Sequence, residues 1–215
     1  AKNIFVELIS IVICGVAIGL LMAITANAFV QIAVVANEYR TNISWLEINL
    51  GTNTYSLSSI VSLLLAATLI TLLRKWINIK DWAGPADSIY AAHSANVSTD
   101  TKKGLGSTLA ALIVTSGGGS VGQYGPLVHF GSTIGLFIKN YFSLKMSADI
   151  FIGCGVAAAI SAGFNAPLAG VIFAHEAILR HFSLRAIAPI FIASISASAF
   201  DEYFFGATQS MFDLS

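Results

Sequence analysis

Two short turns carry the residue types with which a membrane protein can hold an anion without a full opposing charge. Gly122-Gln123-Tyr124-Gly125-Pro126 and Phe164-Asn165-Ala166-Pro167 each stand directly before an apolar segment, and no Lys or Arg follows Pro126 until Lys139. A Lys or Arg at membrane depth is costly and holds an ion too tightly for release. Backbone N–H groups at a helix start supply about half a positive charge instead. Glycine lets the backbone approach an ion closely, and proline in the first helical turn gives up no useful donor. The pattern predicts two helix starts that converge on one small anion, with the two turns close together. Many transporters use such turns, so the residues alone narrow the chemistry only modestly.

The elements that must position these turns read as membrane helices. Of the 215 residues 56% are hydrophobic and 10% charged, and the mean hydropathy is +0.78. About 25% charge is usual for a water-soluble domain, so the apolar surface needs a bilayer as solvent. With 11 basic and 11 acidic residues, nothing points to nucleic acid. Ile4 to Val35 and Ser56 to Leu73 are long enough to span, since about 20 apolar residues suffice. The first is too long for a cleaved signal peptide. Arg74, Lys75 and Trp76 mark an interface on the cytoplasmic side by the positive-inside tendency. Tyr39 to Tyr55 reads as a polar loop with Trp45 as an interfacial anchor, and Ile77 to Lys103 as mostly polar.

Beyond Lys103 the apolar runs are short and broken: Leu105 to Thr115, Leu127 to Ile138, Ala148 to Ala162, Leu168 to Ala174 and Leu184 to Phe200. Gly117 to Gly119, Gly163, Pro167 and Pro189 punctuate them. Backbone breaks in lipid leave unpaired polar groups, so they survive only beside protein or a water-filled cavity. Cys14 and Cys154 lie in apolar stretches and read as small packing residues, not as a disulfide or metal pair.

Gly163-Phe164-Asn165-Ala166-Pro167-Leu168-Ala169-Gly170 resembles the signature of the CLC family of chloride channels and transporters. Gly117-Gly118-Gly119 followed by Gly122-Gln123-Tyr124-Gly125-Pro126 resembles the family's second signature, G-[KR]-E-G-P, and the two stand in the family's order. The resemblance covers essentially the whole chain. It implies an all-α integral membrane fold of broken and tilted helices, built in the family from two inverted repeats with the anion between them. Residues 1–215 correspond to the first repeat, as one membrane domain. The second repeat's G-x-F-x-P motif and pore tyrosine are not in this sequence, so a second repeat is expected to complete the pore. The resemblance further implies a multi-pass protein of a bacterial inner or plasma membrane, a homodimer with one pore per subunit, and chloride or similar anions as cargo.

Three positions depart from the family pattern. The gating glutamate aligns with Tyr124 and the neighbouring basic residue with Gln123. The internal proton-carrying glutamate aligns with Ala177, next to Glu176 and His175. A tyrosine titrates near pH 10, so it carries no protons near pH 7. Its hydroxyl can donate to an anion, or the ring can act as a plug. The third departure is the family's G-S-G-I-P segment, whose serine contacts the anion. Aligned on glycine, Pro85 takes that place; aligned on proline, Trp82 does. A proline there goes with nitrate preference in related plant carriers. Asp87 or Ser88 also reads as an N-cap, with Ser88 a candidate pathway hydroxyl. His175 and Glu176 read as a satisfied pair, and His129 as packed or hydrogen-bonded.

The expectation is therefore a channel-like passage for chloride, bromide and nitrate, uncoupled from protons. Two other readings stay open: proton coupling through His175, Glu176 or the second repeat, and a transport-dead partner or sensor. No nucleophile–base pair, metal-ligand cluster or phosphate loop stands out, so neither enzyme activity, nor a cofactor, nor a metal is expected.

Overall fold

The computed structural model describes residues 2–42, 47–50, 53–94, 100–122, 124–142 and 146–206. Helix α1 runs from Lys2 to Thr41, 40 residues, or about 60 Å. That is about twice the hydrocarbon core, so a tilt or a projecting end must absorb the excess. The polar stretch expected to begin at Tyr39 instead holds the last turn of α1 and a small hairpin, β1 Glu47–Leu50 and β2 Asn53–Ser56. The strands pair antiparallel with Ile48 opposite Tyr55 and Leu50 opposite Asn53. Four residues per strand give too little alternation to be read in advance. Trp45 lies outside the described residues.

Helix α2, Ser58–Ile77, is ended by Asn78 in the left-handed conformation (φ 58°), whose N–H bonds back to the Arg74 carbonyl. Its apolar window is only 6% buried within this chain, so nearly all of α2 is left for lipid or another protein segment to cover. The span expected to be mostly polar contains a helix, α3, Pro85–His93. Proline at the first helical position needs no donor there, and Gly84 precedes it in an extended conformation. Asp87 is not the cap: it is the third helical residue, and its Oδ2 accepts from the Gly84 N–H at 2.9 Å. Asp100 does cap α4, Thr101–Ser116, accepting from the N–H groups of Lys102 and Lys103.

Helices α5, Tyr124–Tyr141, and α6, Ala148–Phe164, form the centre. Every residue of α6 from Ile150 to Ala162 is buried, with α1, α5, α7 and α8 packed around it. Cys154 lies in that run, a free thiol as the sequence suggests. At the α5–α6 crossing the backbones touch: a Cβ on Gly155 would stand 1.8 Å from the Gly131 carbonyl oxygen. Only small residues allow this approach, which in a membrane supplies the packing that hydrophobicity cannot.

Asn165, left-handed at φ 50°, ends α6, and α7, Pro167–Phe173, starts two residues later. It runs on without a break into a wider π-helical turn, Ala174–Leu179, closed by left-handed Arg180. Helix α8, Leu184–Phe205, packs on α1 and α6. Pro189, expected as a break, lies inside it and is buried. It sits early in the helix, where losing one backbone bond does not end it.

Candidate anion site

The two Gly/Pro turns meet through Tyr124. As the first residue of α5 it donates its hydroxyl to the Gly163 carbonyl at 3.1 Å. Its ring stacks on Phe164, with centroids 3.9 Å apart and planes 26° from parallel. The start of α5 thus rests on the turn that precedes α7. A third helix start joins them, because the Pro85 ring lies against Gly125: a Cβ built there would be 3.6 Å from Pro85 Cγ. Gly125 and Pro126 follow in the first turn of α5, while Gly122 is exposed just before it. Gln123 lies outside the described residues.

At α7 the first intrahelical bond runs from the Gly170 N–H to the Ala166 carbonyl. Pro167 has no N–H, which leaves those of Leu168 and Ala169 as the first-turn donors without an intrahelical acceptor. Helix α8 holds this turn from behind. Ser198 donates to Asn165 Oδ1 at 2.5 Å and Ser194 to the Pro167 carbonyl at 2.7 Å. Ser161 in turn donates to the Ser194 carbonyl at 2.6 Å. One helical turn further, buried Asp201 lies 3.5 Å from Asn27 Nδ2 on α1. The positions 194, 198 and 201 fall on one face of α8. That polar face is a signal present in the sequence, and the motif reading passed over it.

Ser88, named as a candidate pathway hydroxyl, is turned into the helix packing of this chain. It is fully buried, and its Oγ lies 3.1 Å from His129 Nδ1 and 2.8 Å from Ser132 Oγ. The hydroxyl is spent on joining α3 to α5, and His129 is hydrogen-bonded. Beside it, Asp87 pairs with Lys103 at 3.2 Å. Partial burial pushes the Asp87 carboxyl up, but the Gly84 N–H and Lys103 outweigh it and hold the carboxyl below its usual range.

The expected His175–Glu176 pair does not form. Glu176 is exposed, whereas His175 is buried with Nδ1 3.1 Å from the His181 carbonyl and its ring stacked on Phe182. His175 Nε2 has no partner. Successive side chains on a helix point about 100° apart, so His175 faces the core while Glu176 faces out. Ala177 packs, half-buried, against the apolar core.

The family model described as voltage gated chloride channel matches residues 63–215. The voltage-gated ClC-type chloride channel ClcB of Yersinia pseudotuberculosis is 24% identical over 132 residues, which are 61% of this chain and 32% of that protein. ClcB of Shigella flexneri is 29% identical over 98 residues, covering 46% of this chain and 23% of that one. Among solved structures, a CLC-type fluoride/proton antiporter superposes with a TM-score of 0.76 at 21% identity, over 93% of this chain and 48% of that one. A slow cyanobacterial Cl⁻/H⁺ antiporter gives 0.69 at 19% identity, over 89% and 46%. The chain therefore spans about a third of the curated relative's length and about half that of the solved ones, and the shared fold is the CLC fold.

Proposed function

The chain belongs to the voltage gated chloride channel family, and on that footing we propose that it forms the first half of a membrane pathway for small monovalent anions, uncoupled from protons. The observation that carries the reading is Tyr124. A neutral phenol stands where the family motif has a carboxylate, and it bridges the two helix starts that the anion would lie between. Helix-start dipoles read charge and size, so chloride, bromide and nitrate all pass. A second, inverted repeat completes the pathway, the assembly is a homodimer, and the bacterial relatives favour a bacterial plasma membrane. The protein is a conductor and not an enzyme.

In this reading Tyr124 is a latch. Moving it aside costs one hydrogen bond, about 1 kcal/mol, and an aromatic contact, about 1 kcal/mol. Together these hold the open form down about 30-fold. Chloride efflux from liposomes holding the intact protein tests this. Tyr124→Phe keeps the stack and loses the bond, so efflux should rise about fivefold. Liposomes that release no chloride contradict the transport reading and leave a partner or sensor role. The unpaired Nε2 of buried His175 favours a second reading, a proton-coupled carrier.

A further inference from the structure

The end of α1 builds a polar seat that the anion pathway does not use. Arg40 donates from Nη1 to Ser59 Oγ at 2.8 Å and from Nη2 to Asn37 Oδ1 at 2.5 Å. Its guanidinium lies along the backbone of Gly118, a glycine at φ +88°, where a Cβ would stand 3.1 Å from Cζ. The ion pairs among the described residues are Lys103–Asp87 and His181–Asp149, neither of which neutralises Arg40. Four buried side-chain polar atoms among the described residues lack a partner, and three cluster here: Arg40 Nε, Thr115 Oγ1 and Ser116 Oγ. Two of the five guanidinium donors have acceptors among the described residues.

An apolar groove starts at the same place. Ser62 ties α2 to the Gly117 carbonyl at 2.8 Å. Below that bond a groove of about 320 Å³ lies between α1, α2 and α4, lined by Ile32, Leu65, Leu69 and Leu112, with Ser62 and Ser116 also in its wall. It follows α2 for about 10 Å from Ser62 to Leu69. Leu65 and Leu69 are more than half exposed, so the groove opens to the outer surface of this chain. Arg40, which has no ion pair among the described residues, stands at one end of an apolar channel that runs along α2.

We propose that this junction binds one anionic phospholipid in the leaflet at the C-terminal end of α1, Arg40 taking the phosphate and the groove one acyl chain. The planar guanidinium matches phosphate oxygens in a way an ammonium does not. Basic pockets between membrane helices select lipids by headgroup charge, at about fivefold per residue. Arg74 and Lys75 stand at the opposite end of α2, away from the Arg40 seat.

The intact protein in mild detergent, titrated with phosphatidylglycerol or with phosphatidylcholine of the same chains, tests the site by native mass spectrometry. The wild type should retain one phosphatidylglycerol about fivefold more than phosphatidylcholine. Arg40→Gln should abolish that preference, and Lys75→Gln should leave it intact. Leu69→Trp fills the groove from its lipid-facing side and should lower retention of that lipid. Should Arg40→Gln aggregate, the wild-type preference and Leu69→Trp still decide. A phosphatidylglycerol preference that survives in Arg40→Gln overturns the proposal. So does release of the lipid by millimolar inorganic phosphate, or unchanged retention in Leu69→Trp, as expected if another protein segment fills the groove.

Discussion

At the scale of single residues, a phenol, Tyr124, stands where the family motif has a carboxylate. Tyr124→Glu places a carboxylate between the two helix starts, where it competes with the anion until protonated. Chloride efflux through that variant should rise as pH falls, while the wild type stays flat over the same range. Asp87 gives a pH dependence of another kind. Burial pushes its carboxyl up, but the Gly84 N–H and Lys103 hold it below the ordinary carboxylate range. A depressed carboxyl stabilises the fold above its unfolded value and loses that contribution as pH falls through its folded value. The thermal stability advantage of wild type over Asp87→Asn should therefore be constant above about pH 5 and shrink below about pH 4. A constant difference down to the lowest pH would remove Lys103 and Gly84 as the cause. The turns around Tyr124 and Asn165 are legible in the sequence because Gly, Asn and Pro act locally. Ser88 was not, since its partners His129 and Ser132 come from another helix. Arg40 escaped notice for the same reason: its seat is built by α2 and the Gly117–Gly119 turn.

At the scale of elements, close backbone packing positions the site. The α5–α6 crossing leaves no room at Gly155. Gly155→Ala must push the helices apart, which should destabilise the protein by about 3 kcal/mol. Thermal unfolding in detergent reads this directly. Gly125→Ala serves as the control, because its Cβ would meet Pro85 at an ordinary 3.6 Å. An undiminished midpoint in Gly155→Ala would mean that the helices part without cost. The small-residue pattern Gly131-x-x-x-Gly135 was readable as a membrane packing signal, whereas its partner on α6 was not. Pro189 misled in the opposite direction: a proline in a broken-looking stretch reads as a stop, yet α8 continues through it. The π-helical turn has no signature in composition. Gap-free counting still reaches Ala177, but it cannot say that His175 faces the core while Glu176 faces out.

At the scale of the whole molecule, three helices among the described residues are long and apolar enough to cross a membrane, and the others are shorter. The fold follows from that division. The Pro-marked start of α7 survives within the bundle because α8 binds the Pro167 carbonyl and the Asn165 side chain beside it. In the proposed reading no carboxylate stands at either position that the resemblance aligns with a proton-carrying glutamate, Tyr124 or Ala177, so anion movement is not tied to proton movement. Restoring exchange should need both Tyr124→Glu and Ala177→Glu. The most direct measurement imposes a chloride gradient across proteoliposomes holding the intact protein and follows internal pH with no proton gradient applied. Chloride should run down with no uphill movement of protons. Sustained uphill proton pumping by the unmodified protein would contradict the account and turn attention to His175 and Glu176.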